Sequence, residues 1–252
     1  MALLCGAALM AQSNPSDPVH RIKLSGQDLS GYTLAFEDNW DWPVFDHNLG
    51  APADCLKTKP VGIGREQAWK AENADLTGGR LRVDYVVFDS AGQAAAAART
   101  ASITINNATE KMSESEVVGD ASWRTIAGSP ALIVQRGAAM MYLSAQGNVN
   151  VSEAQLAAWA RAVVARADAL DVTATAGQLA CDVETYIGLG QVSDAKLAGD
   201  LRAHARQFAQ TDAAVRRAAL ERLKGLLEAG AGKGIDRAAA VNLLRAAQAL
   251  NP

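Results

Sequence analysis

The chain has 252 residues, 49% of them hydrophobic, with 24 lysines and arginines against 27 acidic residues and a net charge of −3. That is enough apolar material for one ordinary domain and a smaller second one, each with its own core. Acidic and basic residues are mixed along the chain, so the electrostatic footprint of a nucleic-acid binder or of a protein held on anionic lipid is missing, and neither partner is expected.

The chain opens on the apolar run Ala2 to Ala11, which ends in small residues and gives way to Gln12-Ser13-Asn14-Pro15. It is far short of the roughly 20 residues that cross a bilayer, so no integral membrane span is expected. It matches the apolar and cleavage regions of a secretory signal, without the basic start of one. Residues 1–20 are therefore read as a signal remnant and flexible leader of an exported protein, periplasmic or extracellular. A frayed terminal segment is the alternative. Leu4 before Cys5 argues against a lipoprotein anchor. After removal of a signal only Cys55 and Cys181 remain, an even pair that an oxidising compartment would join; two free buried thiols are the other reading.

Residues 21–171 read as an α+β domain. Ile22 to Leu34, with Gly26 and Gly31, suits a short opening strand and a turn. Glu37 to Asn48 gathers four acids, one histidine and three aromatics. Such a mixture could stack on a sugar ring while accepting from its hydroxyls, or offer oxygen ligands to Ca²⁺. Glu37, Trp40, Asp41, Trp42, Asp46 and His47 are accordingly the candidate ligand-binding residues, and the competing reading is a long loop whose aromatics plug the edge of the core. The spacing does not match a calcium-binding EF-hand loop, and no metal site or cofactor is expected. Gly62-Ile63-Gly64 lacks the lysine of a phosphate-binding loop and reads as loop glycine, with Trp69 a core or rim aromatic.

The clearest structural signal lies between Gly79 and Leu170. Leu81 to Phe88 alternates at its start and is rich in β-branched and aromatic residues, as a strand should be. Ser90 and Gln93 offer a capping box ahead of the alanine run, predicting a short helix to about Ala101. Trp123 to Ile126, Ala131 to Arg136 and Ala138 to Ala145 are separated by Gly128-Ser129-Pro130 and Arg136-Gly137, the pattern of an antiparallel meander. Ser152 and Gln155 form a second capping box, and Leu156, Trp159, Ala160, Val163, Val164, Ala167 and Leu170 share one helical face.

Residues 172–191 read as a linker with an apolar run of its own. From 192 to 252 the pattern is a three-helix module: Leu197, Leu201, His204 and Phe208 on one face, then Val215 to Leu227 behind Asp212, then Ala240 to Leu250 behind Asp236. His204 reads as a buried or edge histidine of that face.

Nucleophile-elbow, metalloprotease, paired Cys-x-x-Cys and dinucleotide-binding patterns are missing from the sequence, so no catalytic residue is assigned. A carboxylate pair for glycoside hydrolysis would have to come from Glu37, Asp38, Asp41 or Asp46. Two resemblances complete the reading. Val86-Val87-Phe88-Asp89-Ser90, Ser122-Trp123, Gln135-Arg136-Gly137 and the helix around Leu156 to Arg161 resemble a recurrent α+β unit of uncharacterised exported bacterial proteins, which carries no assigned activity. Leu197, Leu201, Ala219-Leu220, Leu223, Gly234-Ile235 and Ala240 to Leu244 are similar to the helical FIMAT module of secreted bacterial proteins, a resemblance that implies an accessory role. The expectation is an antiparallel sheet covered by helices and followed by a three-helix module, in a non-catalytic binding or interaction protein with a protein or glycan partner. A carbohydrate-active hydrolase or glycan binder using residues 37–48 is the alternative.

Overall fold

The computed structural model describes residues 17–40, 55, 64–72, 78–104, 109–170, 174–208 and 212–250. These form helix α1 (Pro18–Ile22), strands β1 (Tyr32–Trp40), β2 (Gly64–Ala71) and β3 (Gly79–Val87), helix α2 (Ala91–Thr104), and strands β4 (Thr109–Lys111), β5 (Ala121–Thr125), β6 (Ala131–Arg136) and β7 (Ala139–Gly147). Five helices follow: α3 (Glu153–Ala167), α4 (Ala176–Gly188), α5 (Ala195–Phe208), α6 (Ala213–Gly230) and α7 (Arg237–Ala249).

All seven strands join one antiparallel sheet in the order β1-β2-β3-β7-β6-β5-β4. Two meanders meet where β7 returns to lie beside β3, and α2 is the crossover between them. The expected α+β class, with helices over an antiparallel sheet and a helical module behind, is therefore the class observed. The predicted meander is present as β5-β6-β7, with its turns carried by Gly128 and Gly137 at φ +83° and +52°.

Period-two alternation sorts the strand residues into two cores. Leu81, Val83, Tyr85 and Val87 of β3, with Leu132, Val134, Met141 and Leu143, face α1 and α3. From α3 come Leu156, Ala160, Val163 and Ala167, the stripe read from sequence, with Trp159 at its margin edge-on to Tyr32 at 5.5 Å. The Ser152–Gln155 capping box is complete. On the other face Val86, Phe88, Trp123, Ile133 and Met140 meet the alanines of α2.

The alanine run of α2 is explained by what lies behind it. Ala94, Ala97, Ala98 and Ala101 pack on the sheet, whereas Ala95 belongs to the core of the helical module with Leu179, Val183 and Tyr186. A helix covered on both sides needs small side chains all round rather than one apolar stripe. Ser90 Oγ accepts from Gln93 N as its sequence predicts, but the return bond is not made, and Gln93 Oε1 has no hydrogen-bond partner.

Four expectations are corrected. Residues 17–20 are not a flexible leader: Asp17 caps α1, and Val19 and Ile22 are fully buried in the core shared with α3. Ile22 to Leu34 is mostly helix end and turn, with β1 starting at Tyr32. Glu37 to Trp40 belong to β1 rather than to a loop. The span 172–191 is not a bare linker: Thr175 and Gln178 form a capping box, and α4 brings Leu179, Val183 and Tyr186 into the module's core, which is thus shared by four helices instead of three. Strands β2 and β4 were not predicted. In β2 the buried positions include Arg65 and Gln67, so apolar periodicity was silent there, and β4 has only three residues.

Candidate functional site

Of the residues singled out from sequence, Asp41, Trp42, Asp46 and His47 lie outside the described residues, and Trp40 is placed only as the end of β1. Glu37 is fully described, and its surroundings are those of a brace. Lys23 Nζ donates to its Oε1 at 2.5 Å and Gln67 Nε2 to its Oε2 at 3.0 Å. Gln67 Oε1 accepts from the Tyr85 hydroxyl at 2.9 Å, and that hydroxyl accepts from Leu24 N at 3.1 Å. Burial works to raise the Glu37 pKa, but the bonds from Lys23 and Gln67 outweigh it and hold the carboxyl below its ordinary value. A carboxylate so engaged ties α1 to β1, β2 and β3. Beside it His20 Nε2 lies 3.0 Å from Arg65, and burial followed by the nearby Lys23 and Arg65 charges lowers the imidazole pKa.

A cavity of about 500 Å³ opens instead where the sheet meets the helical module. Its apolar wall is made by Val87 and Phe88 at the end of β3, Leu170 beyond α3, Leu179 of α4 and Ala246 of α7. Its polar rim is a chain of charges. Arg136, the last residue of β6, pairs with Asp120 and with Asp168, and Arg245 of α7 reaches Asp168 at 3.6 Å. Asp120 also accepts from Gly137 N at 2.7 Å and from Asn242 Nδ2 at 2.9 Å, so one carboxylate joins the sheet to α7. Burial of Arg136 disfavours its charge, yet Asp120 and Asp168 raise its pKa further above normal.

Asp182 is at the base of this cavity, on the apolar face of α4 and 3% exposed. Ser90 Oγ donates to it at 2.5 Å, and the Gly92 backbone adds a second bond. Burial outweighs both and pushes the carboxyl up to about 7. Its position at the N-terminus of α2, where backbone N–H groups are free and the helix dipole is positive, explains why an acid is tolerated there. A second perturbed acid, Asp84 of β3, is pushed up to about 6 by burial against the opposing pull of Arg82, and lies on the sheet away from this cavity.

What the cavity can do chemically is hold a small molecule between an apolar wall and guanidinium groups fixed by their carboxylate partners. Among the described residues no cluster of three or more histidines, cysteines, aspartates or glutamates could hold a metal ion, and no helix is long and apolar enough to cross a membrane. Cys55 and Cys181 stand at disulfide distance, Sγ to Sγ 2.17 Å and Cα to Cα 5.0 Å, which ties Cys55 to α4.

Asp182, Arg136, Asn242 and Arg245 were missed as site residues. Asp182 alone left a trace in the sequence, an acid set at helical spacing among Leu179, Val183 and Tyr186 where a solvated residue does not belong. The others come together only through tertiary contacts. Comparison with protein-family models, with curated proteins and with solved structures found no match for this chain.

Proposed function

We propose that this is a non-catalytic binding protein that takes a small, partly apolar molecule into the cavity between its sheet and its helical module. The observation that carries the reading is the cavity itself: about 500 Å³ in volume, apolar on one side, rimmed by paired arginines, and lined from the sheet, from α4 and α7 and from the connections beside them. Such a site binds by burying apolar ligand surface and orients its guest through the arginine rim. The disulfide supports the further proposal that the protein works in an exported, oxidising compartment. The glycan-binding alternative at residues 37–48 has less in its favour, because Glu37 is already committed to Lys23 and Gln67.

Ala174 lines the cavity at the margin of the module's core and is only partly buried, so an indole there takes up cavity space. In a thermal-shift and native mass-spectrometry screen of small metabolites, hits are expected for the natural chain and are expected to vanish in Ala174→Trp while its own melting temperature changes little. Hits that persist in Ala174→Trp would place the binding site elsewhere, and a glycan hit abolished by Trp42→Ala would favour the alternative.

A further inference from the structure

A second cleft, of about 560 Å³, lies on the other flank of α2, and its charge is lopsided. Arg99 of α2 and Lys111 of β4 stand on the wall supplied by the sheet domain; Lys233, in the loop before α7, and Arg237, its first residue, stand on the wall supplied by the helical module. Against these four cations the lining holds two carboxylates, Glu114 and Asp236. Asp236 is already engaged as the cap of α7, accepting from Ala238 N at 2.9 Å, and reaches Lys111 only at 3.9 Å. Arg99, Lys233 and Arg237 have no carboxylate partner among the described residues. Four cations against two carboxylates leave the cleft with an excess of positive charge in a chain of net charge −3, and the one contact of opposite charges across it, Lys111 to Asp236, is long, so an anion held between the walls would offset their repulsion.

The module's side of the cleft is held in place. Ser193 N donates to Gly234 O at 2.9 Å and Asp236 N to Gln191 O at 2.8 Å, fastening the connection before α5 to the loop before α7. Gly232, at φ +73°, lets the Arg237 side chain lie across that loop, since a Cβ there would come within 2.8 Å of its Nε. Cations on bases so fixed lose less freedom on meeting a ligand than those on a loose loop.

We propose that this cleft binds a phosphate or sulfate group, which bridges the cations of the sheet domain to those of the helical module. Guanidinium and ammonium groups supply charge-assisted hydrogen bonds to such an oxyanion, and two walls of the cleft contribute to it together. The site is separate from the cavity of the proposed binding function and does not depend on it.

The test is a titration of the full chain with sodium sulfate and with inorganic phosphate at fixed ionic strength, followed by amide NMR. Both ions also stabilise proteins generally by exclusion from the surface, so a reference is needed. Arg99→Gln/Lys233→Gln removes one cation from each wall, and Arg217→Gln/Arg222→Gln removes two exposed arginines of α6 as the control. Saturable shifts are expected at residues 190–193 and 232–237, weakened roughly tenfold or more in the cleft variant and unchanged in the control. The anion that saturates at the lower concentration identifies the natural group as phosphate or sulfate. A response that does not saturate, or that is the same in both variants, overturns the proposal.

Discussion

Asp182 is an acid enclosed between α4 and the first turn of α2, and its ionisation has a consequence for stability that can be read directly. The free carboxyl titrates near 3.8 and the folded one near 7. Below pH 3.8 both folded and unfolded chains hold the proton. As pH rises the unfolded chain releases it first, so folding loses stability through this group between about pH 4 and pH 7 and levels off above. The gap corresponds to about 4 kcal/mol as an upper figure. Asp182→Asn keeps an acceptor for Ser90 and removes the titration. Urea unfolding at pH 4 to 8 should show the variant gaining on the natural chain by a few kcal/mol at the alkaline end. Asp84, raised to about 6, acts in the same direction in both proteins and cancels from the difference. Two parallel stability curves would show that Asp182 does not titrate in this range.

The element with most consequence for the architecture is α2, which touches the sheet on one side and the helical module on the other. Its second residue, Gly92, sits so close to α4 that a Cβ would lie 2.4 Å from Asp182 Oδ1, 2.8 Å from its Cγ and 3.0 Å from its Cα. An alanine in an ordinary helix position is favoured over glycine by about 1 kcal/mol. Here the crowding should reverse the sign, and Gly92→Ala is expected to destabilise by about 1 to 3 kcal/mol in chemical denaturation. A stabilised variant would mean that α4 does not approach α2 so closely. Strands β3, β5, β6 and β7 were legible as β-branched and aromatic runs bounded by turn residues, and α3 because it buries one face, which leaves a 3.6-residue stripe behind. The burial of α2 on two sides leaves only an alanine run, which announces a helix without saying what lies against it. Helix α4 was hidden among linker-like residues although its capping box, Thr175 and Gln178, stands in plain view. Strand β2 was hidden because Arg65 and Gln67 are buried through hydrogen bonds to Asn39, His20 and Glu37, and polar residues paired in this way carry no hydrophobic signal.

At the scale of the molecule, the Cys55–Cys181 pair spans 126 residues and ties Cys55 to α4. A closure of that length restricts the unfolded chain strongly. Replacing both cysteines by serine is expected to lower unfolding stability by about 2 to 5 kcal/mol, measured against the oxidised protein in guanidinium, while matching the reduced protein. A variant as stable as the oxidised chain would show that the link constrains nothing. Of the three cysteines, the two that would remain after loss of a signal carrying Cys5 suggested this pairing, but only the fold could bring them to 5.0 Å. The same division runs through the whole protein. The sequence by itself determined the class: which segments bury one face, where their caps and turns fall, and that a helical region follows a sheet, because these are properties of neighbouring residues. Only the tertiary structure decided that α2 lies between the two cores, that Arg136, Asp168, Asn242 and Arg245 meet around one cavity, and that four cations line another. Those groups are distant in sequence and interact through space, so local pattern carries no record of them.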